Sequence, residues 1–331
     1  MTPAIADVTR LFEEMQESPP GSPGTRRRRL RTKDLSAEVY LEVDFPDRVR
    51  ALNVAAHDAP KAPRLTDTAE LRYTFEGRRI RVAATSLVET EMFNILVADL
   101  VLHMSAAPDG PGAALVRRMA SWHRMLAAGL RTGLSAQAQL GLYGELLVLR
   151  ELAIPAWGPA AVAAWVGPLR ADQDFRRPGM AVEVKCTGYR DAGRCRISNE
   201  AQLDADGIGY LVLMHQSVRT SATIGVSLPE LVDAVRAESA VASDAALFED
   251  RLLHAGWLDL HREQYERERY ELAARRCYHV GTGFPSITRR QLPAGVSAVA
   301  YSVDLEECRD YLVPQTDLVQ HLASADLGAT Q

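Results

Sequence analysis

The sequence predicts an α/β protein in which helices flank a mixed sheet. Three observations in the middle of the chain support this fold class. Apolar residues recur at helical spacing from Leu115 to Leu126, and a second helical run covers residues 136–152. Short apolar segments follow, and they predict strands around residues 171–175, 180–187 and 208–215. Alternation of helices and strands over such a short stretch is typical of an α/β core.

The composition is that of a folded globular protein and excludes several classes. Of 331 residues, 47% are hydrophobic and 24% are charged, and no apolar run approaches the roughly 20 residues that cross a bilayer. No membrane partner is therefore expected. The four cysteines lack paired metal-ligand spacing, so we expect reduced thiols and a cytoplasmic location. The net charge of −5 argues against nonspecific coating of nucleic acid, although a local basic groove is compatible with it.

Changes in pattern divide the chain into four predicted parts. Residues 1–34 contain an amphipathic helix and a basic linker, and residues 35–110 form a β-rich N-terminal domain without recognisable chemistry. Residues 111–225 form the α/β core, and residues 226–331 form a C-terminal extension that is mostly helical. In the N-terminal domain, alternating apolar residues predict strands from residue 35 to about residue 105, including a hairpin around Gly77.

The densest basic run is residues 26–29 together with Arg31. Because it follows a stretch rich in proline, glycine and serine, a flexible solvated segment is the simpler interpretation. A DNA contact is the alternative, since such runs are only suggestive.

The segment Val182-Glu183-Val184-Lys185-Cys186 carries the strongest chemical signal. Side chains alternate faces along a strand, so the carboxylate and the ammonium project together while the two valines and the cysteine pack on the other side. Lys185 is one of only three lysines among 38 lysine and arginine residues. A compact ammonium can approach a metal-bound water where a guanidinium cannot, which indicates that this lysine has a chemical role.

Asp174 extends this signal. It lies nine residues before Glu183, and Arg177-Pro178-Gly179 between them is turn chemistry, so the two strands are expected to pair as a hairpin. Two adjacent carboxylates repel each other unless a cation lies between them. Oxygen ligands without histidine or cysteine favour Mg²⁺ or Mn²⁺, which can polarise a phosphoryl oxygen and supply hydroxide. Lys185 would then orient or deprotonate the attacking water.

Glu145 is a third candidate carboxylate, on the second predicted helix. Leu142 and Leu149 share its helix face, so its side chain should point into the protein, where a charge must be paired or bind metal. Gly144 costs about 1 kcal/mol in a helix interior relative to alanine. Close approach of the sheet or of a substrate backbone would explain its presence.

At these positions the chain resembles the PD-(D/E)XK nuclease superfamily and, more closely, an uncharacterised bacterial family of PD-(D/E)XK proteins. The resemblance covers most of residues 115–310. It rests on Gly-Leu-Tyr-Gly-Glu at 141–145, Trp165-x-Gly167-Pro168, Asp174-Phe175, Val182 to Lys185, Ile197-Ser198 before Gln202-Leu203, and Gly283-Phe284-Pro285 with Tyr301. The superfamily's proline before the aspartate is absent, and Gln173 stands there instead.

The resemblance implies a restriction-endonuclease-like core and a Mg²⁺-dependent (or Mn²⁺-dependent) deoxyribonuclease. Asp174 and Glu183 would hold the metal with support from Glu145, Lys185 would serve the water, and Gln202 would contact the site or the DNA backbone. Relatives occur in restriction or phage-defence settings. That context implies partner proteins that supply ATPase activity, and double-strand cutting suggests a homodimer.

Several arginines near the predicted site could hold DNA phosphates or could form a solvated rim. They are Arg170, Arg176, Arg177, Arg190, Arg194 and Arg196.

Alternative interpretations remain at each level. Glu183 and Lys185 could be an exposed structural ion pair. Residues 261–276, which include Tyr265 and Tyr270, could clamp nucleic acid, but an exposed helix is the simpler interpretation. A helix is also expected to begin at Ser198 or Asn199. The whole chain could instead be a DNA-binding or assembly subunit that cleaves poorly, and RNA is an alternative substrate.

Overall fold

The computed structural model describes residues 5–17, 23–31, 35–58, 65–105, 107, 110–127, 133–191 and 193–324. The chain forms two compact units, Met1–Thr132 and Gly133–Gln331. Parts of the predicted basic linker, residues 18–22 and 32–34, lie outside the described residues. Among the described helices, none combines the length and the apolar composition that crossing a membrane requires.

The N-terminal unit contains a five-stranded antiparallel sheet with strand order β1-β2-β3-β5-β4. The predicted hairpin around Gly77 is confirmed, and it joins β4 to β5. The strands are β1 (Gly24–Leu30), β2 (Glu38–Phe45), β3 (Val49–Ala55), β4 (Leu71–Glu76) and β5 (Arg79–Ala84). The helices are α1 (Ile5–Glu17), α2 (Thr90–Ser105) and α3 (Pro111–Ala127).

Two predictions for this unit are wrong. The basic run is not a flexible segment, because β1 pairs along its whole length with β2 and Arg27 lies over the ring of Tyr40. The end of the predicted strand region is the helix α2, in which seven consecutive residues, Met92–Ala98, are buried. A helix that is apolar on every side has no helical periodicity, so its pattern could not be told from that of a buried strand.

The C-terminal unit is built on a six-stranded mixed sheet. Its order is β10-β11-β9-β7-β6, with β13 also paired to β11, and β7 and β9 are parallel while the other pairs are antiparallel. A separate two-stranded sheet joins β8 to β12. The strands are β6 (Phe175–Arg177), β7 (Met180–Gly188), β8 (Arg194–Ile197), β9 (Tyr210–Ser221), β10 (Val226–Ser227), β11 (Arg269–His279), β12 (Tyr301–Asp304) and β13 (Leu312–Val313).

Helices cover this sheet, so the predicted α/β class and the second predicted core helix are confirmed. That helix, α4, continues after Val148 as one π-helical segment, Leu149–Ala153. The helices are α4 (Ala136–Val148), α5 (Ile154–Trp157), α6 (Ala160–Ala164), α7 (Leu228–Arg236), α8 (Ser239–Ala242), α9 (Ala245–His254), α10 (Arg262–Tyr265) and α11 (Gln315–Ser324).

Each face of the six-stranded sheet has its own apolar core. Val182, Val184 and Cys186 of β7 belong to the core that includes α4 and α7. Ala181 belongs to the smaller core on the other side, with Cys195 of β8. The four cysteines are free thiols, as predicted, and the structure buries all of them.

The charged segment at residues 261–276 is not an exposed helix. A short helix ends at Tyr265, and Arg269–His279 is the strand β11, paired with β9 in the middle of the sheet. Tyr265 and Tyr270 are 1% and 2% exposed, so neither can stack on a nucleic acid base in this conformation. On β11, Tyr270 is buried between the half-buried Arg269 and the exposed Glu271, as expected for successive strand residues that point to opposite faces.

The division of the chain also differs from the four predicted parts. The helix α3 belongs to the N-terminal unit, where it packs on α2, although the sequence predicts it as the first core helix. The predicted helical extension contributes β10, β11 and β13 to the sheet of the core. It is therefore neither mostly helical nor separate.

Candidate active site

The strand β7 carries Glu183 and Lys185 on one face, as predicted. The ammonium Nζ of Lys185 lies 2.7 Å from Oε1 of Glu183. Val182, Val184 and Cys186 point into the opposite core. Glu183 is 1% exposed, so this is a buried ion pair and not the exposed surface pair of the alternative interpretation.

Asp174 lies at the start of the β6–β7 hairpin, and several hydrogen bonds fix its backbone. Its N–H donates to the carbonyl of Val182, and its own carbonyl accepts from the N–H groups of Val166 and Gly167. Its carboxylate Oδ2 accepts from the N–H of Val184 at 2.7 Å. Asp174 is thereby held at the same edge of the sheet as the ion pair on β7.

Glu145 of α4 approaches Asp174 from the helix side. A Cβ atom built on Gly167 would lie 2.6 Å from Oδ1 of Asp174 and 3.0 Å from Oε2 of Glu145, so both carboxylates converge on this glycine. The indole Nε1 of Trp165 donates to Oε2 of Glu145 at 2.7 Å. The sequence analysis gives Trp165 only as part of the motif Trp165-x-Gly167-Pro168, whereas in the structure its hydrogen bond orients the carboxylate.

Gly144 is explained by close approach of the sheet. A Cβ atom at this position would lie 2.6 Å from Cβ of Cys186 on β7. The side-chain amide of Gln216 on β9 also donates to the Gly144 carbonyl at 2.9 Å. The helix can therefore lie directly on the sheet and bring Glu145 to its edge.

Gln202 lies beside the ammonium but not on a helix. Its Oε1 accepts from Nζ of Lys185 at 3.1 Å and from the backbone N–H of Ser198 at 2.7 Å. The predicted helix is a series of turns, because the Asn199 side chain accepts from the N–H of Ala201 at 2.9 Å and competes with helical bonding. A glutamine fixed in this way orients the ammonium together with Glu183.

Gln173 is a further contributor that the sequence did not identify. Its amide Nε2 donates to the carbonyl of Ala201 at 2.9 Å and is 2% exposed as a residue. It therefore ties the strand of Asp174 to the turn that carries Gln202. The only signal in the sequence is its position, where the superfamily has a proline.

The electrostatics of the site disfavour its negative charges. Burial raises the pKa of Glu145, of Asp174 and of Glu183, and repulsion from Asp174 adds to the rise for the two glutamates. Burial lowers the pKa of Lys185, but attraction to Glu183 and Asp174 outweighs that effect and the pKa is raised, so the amine is protonated at neutral pH. When all three carboxylates are ionised, the Lys185 ammonium compensates one of their negative charges and two remain. One divalent cation would neutralise these two charges.

The residues fit a hard divalent ion. Apart from the ion pair with Lys185, neither carboxylate oxygen of Glu183 has a hydrogen-bond donor among the described residues, although both are buried. Over the same part of the chain, no three histidine, cysteine, aspartate or glutamate side chains are grouped so that they alone could hold a metal. Mg²⁺ is commonly held by one or two carboxylates and keeps several waters, so Asp174 and Glu183 are sufficient protein ligands in principle.

The arginines that the sequence singles out are mostly exposed. Arg176 and Arg177 line a cavity of about 410 Å³ at the β6–β7 turn, together with Gly179 and Gly207. Arg177 is partly buried, and the other five are exposed, namely Arg170, Arg176, Arg190, Arg194 and Arg196. Exposure is what a phosphate contact requires, and it fits a solvated rim equally well.

A family model matches residues 8–306 of the chain, and its description is "Putative PD-(D/E)XK family member" (DUF4420). The match spans most of the sequence, so the chain belongs to this family. The family description suggests a nuclease, and PD-(D/E)XK proteins generally use divalent metals. No curated protein and no solved structure matches the chain significantly.

Proposed function

We propose that this protein is a metal-dependent endonuclease with a restriction-endonuclease-like core that hydrolyses DNA phosphodiester bonds. One observation carries the proposal. A buried glutamate is ion-paired with an ammonium and repelled by a nearby aspartate, its oxygens accept no other hydrogen bond among the described residues, and the three groups occupy the positions of the PD-(D/E)XK pattern. Burial of this much charge costs several kcal/mol per ion unless it is compensated, so a structural role alone is a poor explanation.

Asp174 and Glu183 would hold the metal, Mg²⁺ or Mn²⁺. When bound, such an ion supplies a hydroxide at neutral pH and polarises a phosphoryl oxygen. Asp174 retains one free carboxylate oxygen for this role, because its other oxygen is used by the Val184 N–H. Glu145, held by Trp165, has a raised pKa in the metal-free fold, so it would add negative charge beside Asp174 when a cation is bound and favours its ionised form.

Lys185 would donate hydrogen bonds and not remove a proton. Its raised pKa keeps the amine charged, and Glu183 and Gln202 fix it from two sides. A positioned ammonium can orient an attacking water and offset the charge that develops on the phosphoryl oxygens. The exposed arginines would hold the substrate backbone without reading its sequence.

The substrate and the biological setting belong to the same proposal. We infer duplex DNA as the substrate, with RNA as an alternative, and a role in restriction or phage defence. Two sites are needed to cut both strands, so a homodimer is proposed, and partner proteins would supply ATPase activity. Because the net charge of −5 weakens general attraction to a nucleic acid substrate, a second candidate is a DNA-binding or assembly subunit that cleaves poorly.

The first experiment is a plasmid-nicking assay with Mg²⁺ or Mn²⁺. Lys185→Ala and Asp174→Asn should each lower the cleavage rate by at least about a hundredfold, since the first removes the ammonium that faces the reacting phosphate and the second removes the charge of a metal ligand. Asp172→Asn is the matched control, because Asp172 is an exposed carboxylate two residues from Asp174. It should cleave like the unmodified protein.

The assay separates the two candidates. Cleavage that survives both substitutions would show that the site is not responsible. Binding of DNA without cleavage of any substrate, in either metal, would favour the assembly subunit.

A further inference from the structure

A cavity of about 300 Å³ lies in the N-terminal unit, where the sequence shows no chemistry. Its wall includes Arg50, Arg48, Gln16 and the start of α2 at Thr90. This volume is at the lower end of the range of small-molecule sites. Two arginines and several hydroxyl groups make part of the wall polar, and Val49, Val88 and Phe93 make another part apolar.

Arg50 is the unusual feature of this cavity. It lies on the same face of β3 as Leu52 and Val54, and both of these residues are part of the buried core. It is only 7% exposed. Its guanidinium lies over the ring of Phe12, 5.0 Å from the centroid.

The partners of Arg50 are neutral. It donates to Oδ1 of Asn94 at 2.9 Å and to Oε1 of Gln16 at 2.7 Å. These two amides are themselves held in place, because Asn94 donates to Thr9 and Gln16 donates to the carbonyl of Arg48. The hydrogen bonds thus aim the guanidinium but leave its charge uncompensated.

No carboxylate compensates this charge within the part of the N-terminal unit that the structure describes. Glu13 attracts the guanidinium from a distance without forming an ion pair with it. Burial accordingly lowers the pKa of Arg50, with Glu13 acting in the opposite sense. At the rim, Arg48 and Asp47 are exposed and opposite in charge, so the rim does not cancel the buried cation.

A buried charge is stable in proteins when it is paired. A guanidinium has five N–H donors, and two of them make the bonds to the amides, so donors remain for a ligand. We propose that this cavity binds a small oxyanion, a phosphate or carboxylate group, on Arg50, with hydroxyl groups of Ser86 and Thr90 on the same wall. This site is independent of the proposed nuclease centre.

Isothermal titration calorimetry on the full chain tests the site. Inorganic phosphate and succinate, titrated separately at constant ionic strength, distinguish a phosphate ligand from a carboxylate ligand. We expect one saturable site per chain for at least one of them. Arg50→Gln should weaken its affinity about tenfold or more, since a charge-assisted hydrogen bond is lost.

Three further variants make the result decisive. Ala84→Leu fills the cavity and keeps the cation, so it should also abolish saturable uptake even if Arg50→Gln folds poorly. Arg78→Gln removes one exposed positive charge from the same unit and should bind normally. Lys185→Ala should bind normally, which separates this site from the nuclease centre. Absence of saturable uptake of both anions, or uptake that Arg50→Gln and Ala84→Leu both leave unchanged, would overturn the proposal.

Discussion

At the scale of single residues, the site consists of charges that the protein cannot neutralise by itself. Glu183 is almost fully buried and forms an ion pair with the ammonium of Lys185. Asp174 and Glu145 add two more carboxylates nearby. Neutral hydrogen-bond donors orient these groups, namely the indole of Trp165 and the backbone N–H of Val184. Such an arrangement lowers the stability of the metal-free fold, which is a frequent property of functional sites.

The substitution Glu145→Gln tests directly whether the clustered carboxylates destabilise the metal-free fold. The pKa of Glu145 is raised from 4.5 to about 8, so between these pH values the metal-free folded state keeps a proton that the unfolded chain has lost, and the free energy of unfolding falls as pH rises from about 4.5 to about 8. Glutamine can still accept from Trp165 but carries no charge. We expect the variant to be about as stable as the unmodified protein at about pH 4, where both carry a neutral side chain, and more stable by at least about 1 kcal/mol at about pH 9.

Urea unfolding in the presence of a chelator, at both pH values, measures this difference. Asp172→Asn serves as the control, since its exposed side chain should give no difference at either pH. A Glu145→Gln variant that is less stable at the higher pH would show that the carboxylate is well compensated in the fold.

How far single residues could be predicted depends on whether their pattern is local. Glu183, Lys185 and Asp174 were identifiable because a strand and a turn bring them together over a few residues. Trp165 and Gln173 were not, because their roles depend on hydrogen bonds to residues 20 and 28 positions away in sequence. A tryptophan two residues before a glycine gives no such information by itself.

At the scale of elements, the contact between α4 and β7 positions the site. Gly144 allows the helix to lie against Cys186, and this contact brings Glu145 to the sheet edge. Strands and helices with clear periodicity, such as β7 and α4, could be predicted from sequence. The apolar helix α2, the paired basic strand β1 and the turns around Gln202 could not, because burial on all sides or pairing with distant strands overrides the local pattern.

A pair of glycine substitutions in α4 tests the element contact. Gly144→Ala would place a Cβ atom 2.6 Å from Cβ of Cys186, so the helix must move away from the sheet. We expect a loss of about 1–3 kcal/mol in the free energy of unfolding, as for other overpacked positions. Activity should also fall, because Glu145 moves with the helix.

Gly141→Ala is the matched control in the same helix. A Cβ atom there meets nothing within 4 Å, so alanine should stabilise the protein by up to about 1 kcal/mol through helix propensity. Thermal or urea unfolding of both variants shows whether the free energy of unfolding falls for Gly144→Ala and rises for Gly141→Ala. A Gly144→Ala variant that gains stability like Gly141→Ala would mean that the helix and the sheet are not in close contact.

At the scale of the whole molecule, the two units differ in chemical character. The C-terminal unit contains the PD-(D/E)XK constellation, and the N-terminal unit contains a buried arginine beside a cavity. The α/β class followed from sequence, whereas the boundary between the units did not, because α3 resembles a core helix in its periodicity. The C-terminal segment completes the sheet by long-range pairing, which a local pattern cannot reveal.

The most direct test of the central claim is calorimetric titration of the folded, full-length chain with Mg²⁺ and with Mn²⁺, in the presence and absence of duplex DNA. We predict saturable uptake that Asp174→Asn and Glu183→Gln each abolish and that Asp172→Asn leaves unchanged. No uptake of either ion under any of these conditions, or uptake that persists in both site variants, would contradict the account.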